Sequence, residues 1–68
     1  MVSSEFLEKV EGKFVHVDFI DFKDNLLTWV EGKLNYSDED FIEITSDTDC
    51  DIISLDSIRK IYVKEEKK

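Results

Sequence analysis

Proline is absent from this chain, cysteine and histidine occur once each, and glycine occurs twice. Each scarcity excludes something. A lone Cys50 has no partner for an intrachain disulfide, and a lone His16 leaves no Cys/His set for a structural zinc. No run approaches the ~20 apolar residues of a membrane-spanning helix, so no membrane partner is expected. The first turn of sequence carries Glu5 and Glu8, unlike the basic start of a secretory signal. With the single cysteine, this points to a cytoplasmic protein. Cations are also scarce: 9 Lys and Arg stand against 17 Asp and Glu, a formal net charge of -8. Phosphate-binding proteins present a basic face. An acidic excess instead favours basic proteins or cations as partners.

What is present argues for a folded domain. Hydrophobic residues make up 41% of the chain, too many for an acidic disordered tail. The 68 residues suffice for one domain, expected over residues 1–63, with a disordered charged tail at 64–68 that lacks any apolar side chain. A chain this short buries only roughly 60% of its unfolded surface. Small folds add a disulfide, a metal or a partner chain. With no disulfide and no metal or other cofactor expected, association is the remaining source of stability.

The periodicity predicts one helix and then strands. Ser3 or Ser4 can cap a helix over residues 3–11, with Glu5 and Glu8 near its positive end, Phe6, Leu7 and Val10 as its apolar stripe, and Gly12 as its stop. From Lys13 the period becomes two. Val15, Val17 and Phe19 alternate with His16 and Asp18, while Phe14, Ile20 and Phe22 put apolar groups on the other face. Lys23-Asp24-Asn25 is a turn. A second strand spans residues 26–36, and Gly32 within it marks a bend or a close backbone approach. Further strands follow at 41–45, 51–55 and 58–63, with turns at 37–40, 46–49 and 56–57. The predicted fold class is all-β with a short N-terminal helix: a five-stranded, strongly bent antiparallel barrel, SH3-like in outline.

Several segments carry a finer likeness. Phe6-Leu7 followed by Val10-Glu11-Gly12-Lys13, the alternation of Val15, Val17 and Phe19, Val30-Glu31-Gly32-Lys33-Leu34 with Asp38 beyond it, and Ile53-Ser54-Leu55-Asp56-Ser57-Ile58 with Ile61 fall in the order and spacing of Sm motifs. Over residues 4–63 the chain resembles the Sm/LSm (Sm-like, Hfq-like) family of small β-barrels. That resemblance implies a homo-oligomeric ring of about five to eight subunits, formed by pairing of the last two strands between copies. Ile53, Leu55, Ile61 and Val63 are the implied interface residues. It also implies single-stranded RNA as ligand. The sequence departs from the family in three ways, the first being that the glycine usual soon after the first strand is absent. The stretch between Asp21 and Gly32 is several residues longer than usual, so strands one and two are expected to extend past the barrel. The positions matching the family's RNA-reading residues hold Asp40, Ile42, Ser54 and Leu55.

Candidate sites follow from side-chain chemistry. Tyr36 and Phe41 can stack on bases, as can Trp29 and Tyr62, and Arg59, Lys60 and Lys64 form a basic cluster for phosphates. Tyr36, Phe41, Arg59 and Lys60 are taken as the RNA-binding candidates. Aromatic residues more often fill cores and subunit interfaces. Asp47-Thr48-Asp49-Cys50-Asp51 begins like a calcium loop, but Ile52 and Ile58 occupy its glycine and glutamate positions, so a polar hairpin is expected. His16 and Asp18 share a strand face, yet no nucleophile or oxyanion donor completes a catalytic set. A non-enzymatic binding protein is expected. Two readings stay open: a ring that binds RNA through a degenerate site, or an acidic scaffold ring that binds basic proteins.

Overall fold

A computed structural model describes residues 3–64, apart from the side chains of Ser37 and Asp38. Helix α1 spans Ser4–Val10. The Ser3 hydroxyl accepts from the Phe6 amide at 3.2 Å and closes its N-terminus. Leu7 and Val10, one turn apart, are its buried residues. Gly12 follows with φ +85°, the left-handed conformation that lets the chain leave the helix. Its amide then donates to the Leu34 carbonyl at 2.8 Å, which ties the helix exit to the sheet.

Strands follow in the order β1 (Phe14–Asp21), β2 (Leu26–Asp38), β3 (Phe41–Thr45), β4 (Cys50–Ser54) and β5 (Ile58–Val63), with a 3-10 turn at Leu55–Ser57 before β5. All pair antiparallel in one sheet of order β4-β3-β2-β1-β5. Alternation sets the core. Val15 and Val17 of β1, Leu34 of β2, Ile42 and Ile44 of β3, Ile53 and Ile58 point inward against Leu7 and Val10. The helix therefore covers the inner face. Phe14, on the other face of β1, and Phe22, in the turn just after it, stay exposed.

β2 is the structural spine. Its first part, up to Lys33, pairs with β1, and from Lys33 onward it pairs with β3. Gly32 sits at the handover. A methyl group there would lie 2.6 Å from the Thr45 carbonyl oxygen and 2.8 Å from an Ile44 methyl. Of the two expectations for Gly32, the close approach is what the structure shows, and the lack of a Cβ is required by backbone that cannot move aside. The β1–β2 hairpin also runs beyond its neighbours. β5 pairs with β1 only as far as Phe19, and residues 26–32 of β2 have no partner in β3. The stretch between Asp21 and Gly32 forms this extension.

Four expectations are corrected. The sheet is open, not a closed barrel: β4 and β5 are its two edges, because the 3-10 turn carries the chain from one edge across to β1 without pairing them. β2 continues to Asp38, past the expected end at Tyr36, because Asp38 pairs with Phe41 after a register shift. Leu55, expected in the fourth strand, lies in the 3-10 turn, where the Ser54 hydroxyl accepts from the Asp56 amide at 3.3 Å and Ser57 donates to the Ser54 carbonyl at 2.8 Å. Lys64, expected to begin the disordered tail, donates its amide to the Phe14 carbonyl at 2.8 Å. The remaining tail, residues 65–68, lies outside the described residues.

Replacing Gly32 by valine should destabilise the fold by about 3 kcal/mol or more, since both backbone and core must shift. Equilibrium urea unfolding reads this directly. A loss below about 0.5 kcal/mol would mean the strands do not approach as described.

Candidate functional site: the outer face of β5-β1-β2

The antiparallel register builds one polar and aromatic cluster. Opposite His16 of β1 stand Glu31 of β2 and Tyr62 of β5, and opposite Asp18 stand Trp29 and Lys60. All point away from the core. His16 Nδ1 lies 2.8 Å from Glu31 Oε2, and Nε2 lies 3.0 Å from Asp18 Oδ1. Lys64 Nζ donates to the same Glu31 oxygen at 2.9 Å. The Trp29 indole stacks on the imidazole, 5.1 Å between centroids and 15° from parallel. Tyr62 flanks the imidazole at 5.6 Å, tilted by 58°. The Lys60 ammonium stands 5.4 Å from the Tyr62 centroid, within cation–π range. A shallow cavity of about 250 Å³ opens between His16, Tyr62 and Lys64.

The electrostatics follow from contact. An imidazole with a carboxylate at each nitrogen is satisfied only when both nitrogens carry protons. The hydrogen bond to Glu31 raises the His16 pKa above its ordinary 6.5; partial burial opposes this, and Asp18 adds to the rise. Glu31 moves the other way, held below 4.5 first by His16 and then by Lys64. Lys60 is held above its ordinary value by Tyr62, with a smaller contribution from Asp18. Among the described residues, no serine, threonine or cysteine hydrogen-bonds to His16, and no group of three or more His, Cys, Asp or Glu is placed to hold a metal ion. The 46–49 turn satisfies itself: the Ser46 amide donates to the Asp49 carbonyl at 2.8 Å and the Asp49 amide to the Ser46 hydroxyl at 3.1 Å. No helix among the described residues is long and apolar enough to cross a membrane.

The sequence-predicted residues fall in three places. Tyr36 is half-buried against the core, and Phe41 is exposed at the start of β3. Arg59 and Lys60 are exposed on β5, with the Arg59 guanidinium on the Asp56 carbonyl at 3.2 Å. No described hydrogen bond, ion pair or ring contact joins the aromatic pair to the basic pair. Of the expected interface residues, Ile53 is buried in the core, Leu55 and Ile61 are half-buried against it, and Val63 is exposed. Ile42, at a position matching the family's RNA readers, is buried too. Most aromatics are not core: Phe6, Phe14, Phe22, Trp29, Phe41 and Tyr62 are all exposed, while Phe19 and Tyr36 pack against it. Glu31 was missed as a site residue. A hairpin centred between Lys23 and Asp24 places it opposite His16, so the signal was present in the turn position. Compared with protein-family models, curated proteins and solved structures, the chain matches none.

Two opposed pH limbs follow. The His16 pKa is raised on folding, so its contribution to stability is full below 6.5 and is lost as pH rises through the higher folded value. Glu31 is lowered, so its contribution is full above 4.5 and is lost as pH falls through the lower folded value. Urea midpoints measured across pH should therefore decline as pH rises above 6.5, and His16→Gln should flatten that decline. An unchanged alkaline limb in the variant would contradict the assignment.

Proposed function

We propose that this chain is an Sm-like, ring-forming subunit that acts by binding and not by catalysis. The carrying observation is the charge of the two unpaired sheet edges. β5 carries Arg59 and Lys60, with Lys64 directly after it, and no carboxylate. β4 carries Asp51, with Asp49 directly before it, and no cation. Beside β4 lies a groove of about 260 Å³ whose lining includes Ile20, Phe22, Ile52 and Ile53, with Asp21 and Asp51 among it. Its chemistry, apolar with carboxylates, complements the Ile58–Val63 strand of a second copy, which combines apolar residues with the adjacent cations Arg59 and Lys60. Strand addition at an edge satisfies backbone groups that otherwise face water. A cationic edge at one end and an acidic edge at the other is a head-to-tail contact, and such contacts close into rings. Copies with a net charge of -8 repel one another at long range. That repulsion is screened beyond ~8 Å at physiological salt, so the local edge contact decides.

Charge exchange tests the contact. Native mass spectrometry should show a single closed oligomer for the natural chain. Arg59→Asp should reduce it to monomers, and adding Asp51→Arg to that variant should restore it. A natural chain that stays monomeric at high micromolar concentration would overturn the reading.

The ligand proposed for such a ring is single-stranded RNA, held on the outer face and not at the family's usual positions. Trp29 and Tyr62 offer exposed rings beside Lys60 and Lys64, and this face gathers cations that the chain as a whole lacks. Base stacking contributes ~1–3 kcal/mol per base, and phosphate contacts make binding fall steeply with salt. In fluorescence anisotropy with U-rich and A-rich RNAs, Trp29→Ala should weaken low-salt binding at least tenfold, which is about 1.4 kcal/mol. Absence of binding at low salt would remove RNA and leave the acidic scaffold that takes basic proteins.

A further inference from the structure

Among the described residues, the other polar clusters are internally satisfied or belong to the edges just described. The acidic 46–49 turn closes on its own hydrogen bonds. Cys50 is exposed, and the Thr45 hydroxyl donates to its sulfur at 3.8 Å. The His16 cluster differs, because one side chain joins three strands and has no satisfied neutral form.

We propose that His16 is a proton-operated clasp that locks the outer face of β5-β1-β2, holding Trp29 and the Lys64 end of β5 in place while protonated and releasing them when the proton leaves. The inference concerns a single copy, so it stands apart from both the ring and the RNA readings.

The geometry carries it. Both ring nitrogens meet carboxylate oxygens, at 2.8 Å and 3.0 Å, and those carboxylates come from different strands. Neutral imidazole has one N–H, so it can satisfy only one of them. The other then faces a lone pair and must turn away. Asp18 shares β1 with His16, whereas Glu31 reaches across from β2 and also holds Lys64, so the state of the imidazole is felt at the end of β5. The indole of Trp29 lies flat on the same ring. A positive charge there attracts the π-face, and its loss weakens the stack. Trp29 is otherwise 61% exposed, so little else fixes it.

The groups facing His16 set the direction. Asp18 from β1 and Glu31 from β2 favour the cation. Lys60 and Lys64 from the β5 side oppose it, but Lys64 is paired with Glu31 and Lys60 stands over Tyr62. The two direct carboxylate contacts prevail, in keeping with the raised titration of His16. The clasp is therefore closed at low pH and opens as pH rises through a value above 6.5, within the range where histidine is the switch side chain.

Trp29 is the only tryptophan, so its emission reports the clasp directly. An imidazolium stacked on an indole quenches it. Emission from the natural chain, followed between about pH 5.5 and 9, should rise in one step with a midpoint above 6.5. His16→Gln should lose the step. Glu31→Gln, which removes charge but keeps shape, should move the midpoint downward. Circular dichroism confirms that each variant is folded, and if His16→Gln is not, the Glu31→Gln shift decides alone. A flat profile in the natural chain, the same step in His16→Gln, or an unmoved midpoint in Glu31→Gln would overturn the proposal. The readout needs neither a second copy nor RNA, so failure of the ring or of RNA binding leaves it untouched.

Discussion

The structure depends on one close approach. At Gly32, β2 comes so near the end of β3 that no side chain fits between them. That contact lets a single thirteen-residue strand pair with β1 along its first part and with β3 along its second. The sheet can then curve around the buried cluster of Leu7, Val15, Val17, Leu34, Ile42 and Ile44. Without it, β3 and β4 would lose their position over the core, and the helix would have less to cover. The same curvature leaves β4 and β5 as edges of opposite charge.

The small core explains why so much apolar surface remains outside. The buried hydrophobic residues are all aliphatic, and most of the large rings lie on the surface. Phe22, Leu26, Leu27 and Trp29 are concentrated on the extended β1–β2 hairpin, and Ile52 lies on the β4 edge. Scattered exposed apolar residues are ordinary, but contiguous ones mark contact surfaces. Here Phe22 and Ile52 line the groove beside the acidic edge strand, and Arg59 and Lys60 lie on the opposite edge of the same chain. On the third surface, the outer face, charge is organised instead into a three-strand cluster around His16.

Much of the fold could be read in the sequence because it is local. The Ser3 cap, the Gly12 stop, and the alternation of Val15 and Val17 each act over a few residues. The turn near Lys23-Asp24-Asn25 is held by Asp21 and by Asn25 in the left-handed conformation, φ 60°, which asparagine tolerates. What escaped the sequence was cross-strand. Whether the sheet closes depends on how the 3-10 turn at Leu55–Ser57 aims β5, and neither periodicity nor composition encodes that aim. The partnership of His16 with Glu31 needed the register as well as the turn. The apolar character of Tyr36, Ile53 and Ile61 was plain, but whether they serve the core of one copy or a second copy was not, because both uses select the same residues.

The central claim is that the two unpaired edges satisfy each other between copies. Amide hydrogen exchange along β4 and β5, measured over a dilution series, tests it most directly. Two edges joined between copies should show protection of alternate amides in Cys50–Ser54 and in Ile58–Val63, lost together on dilution while β1, β2 and β3 stay protected. Edge amides that exchange at the same rate at every concentration would contradict the account.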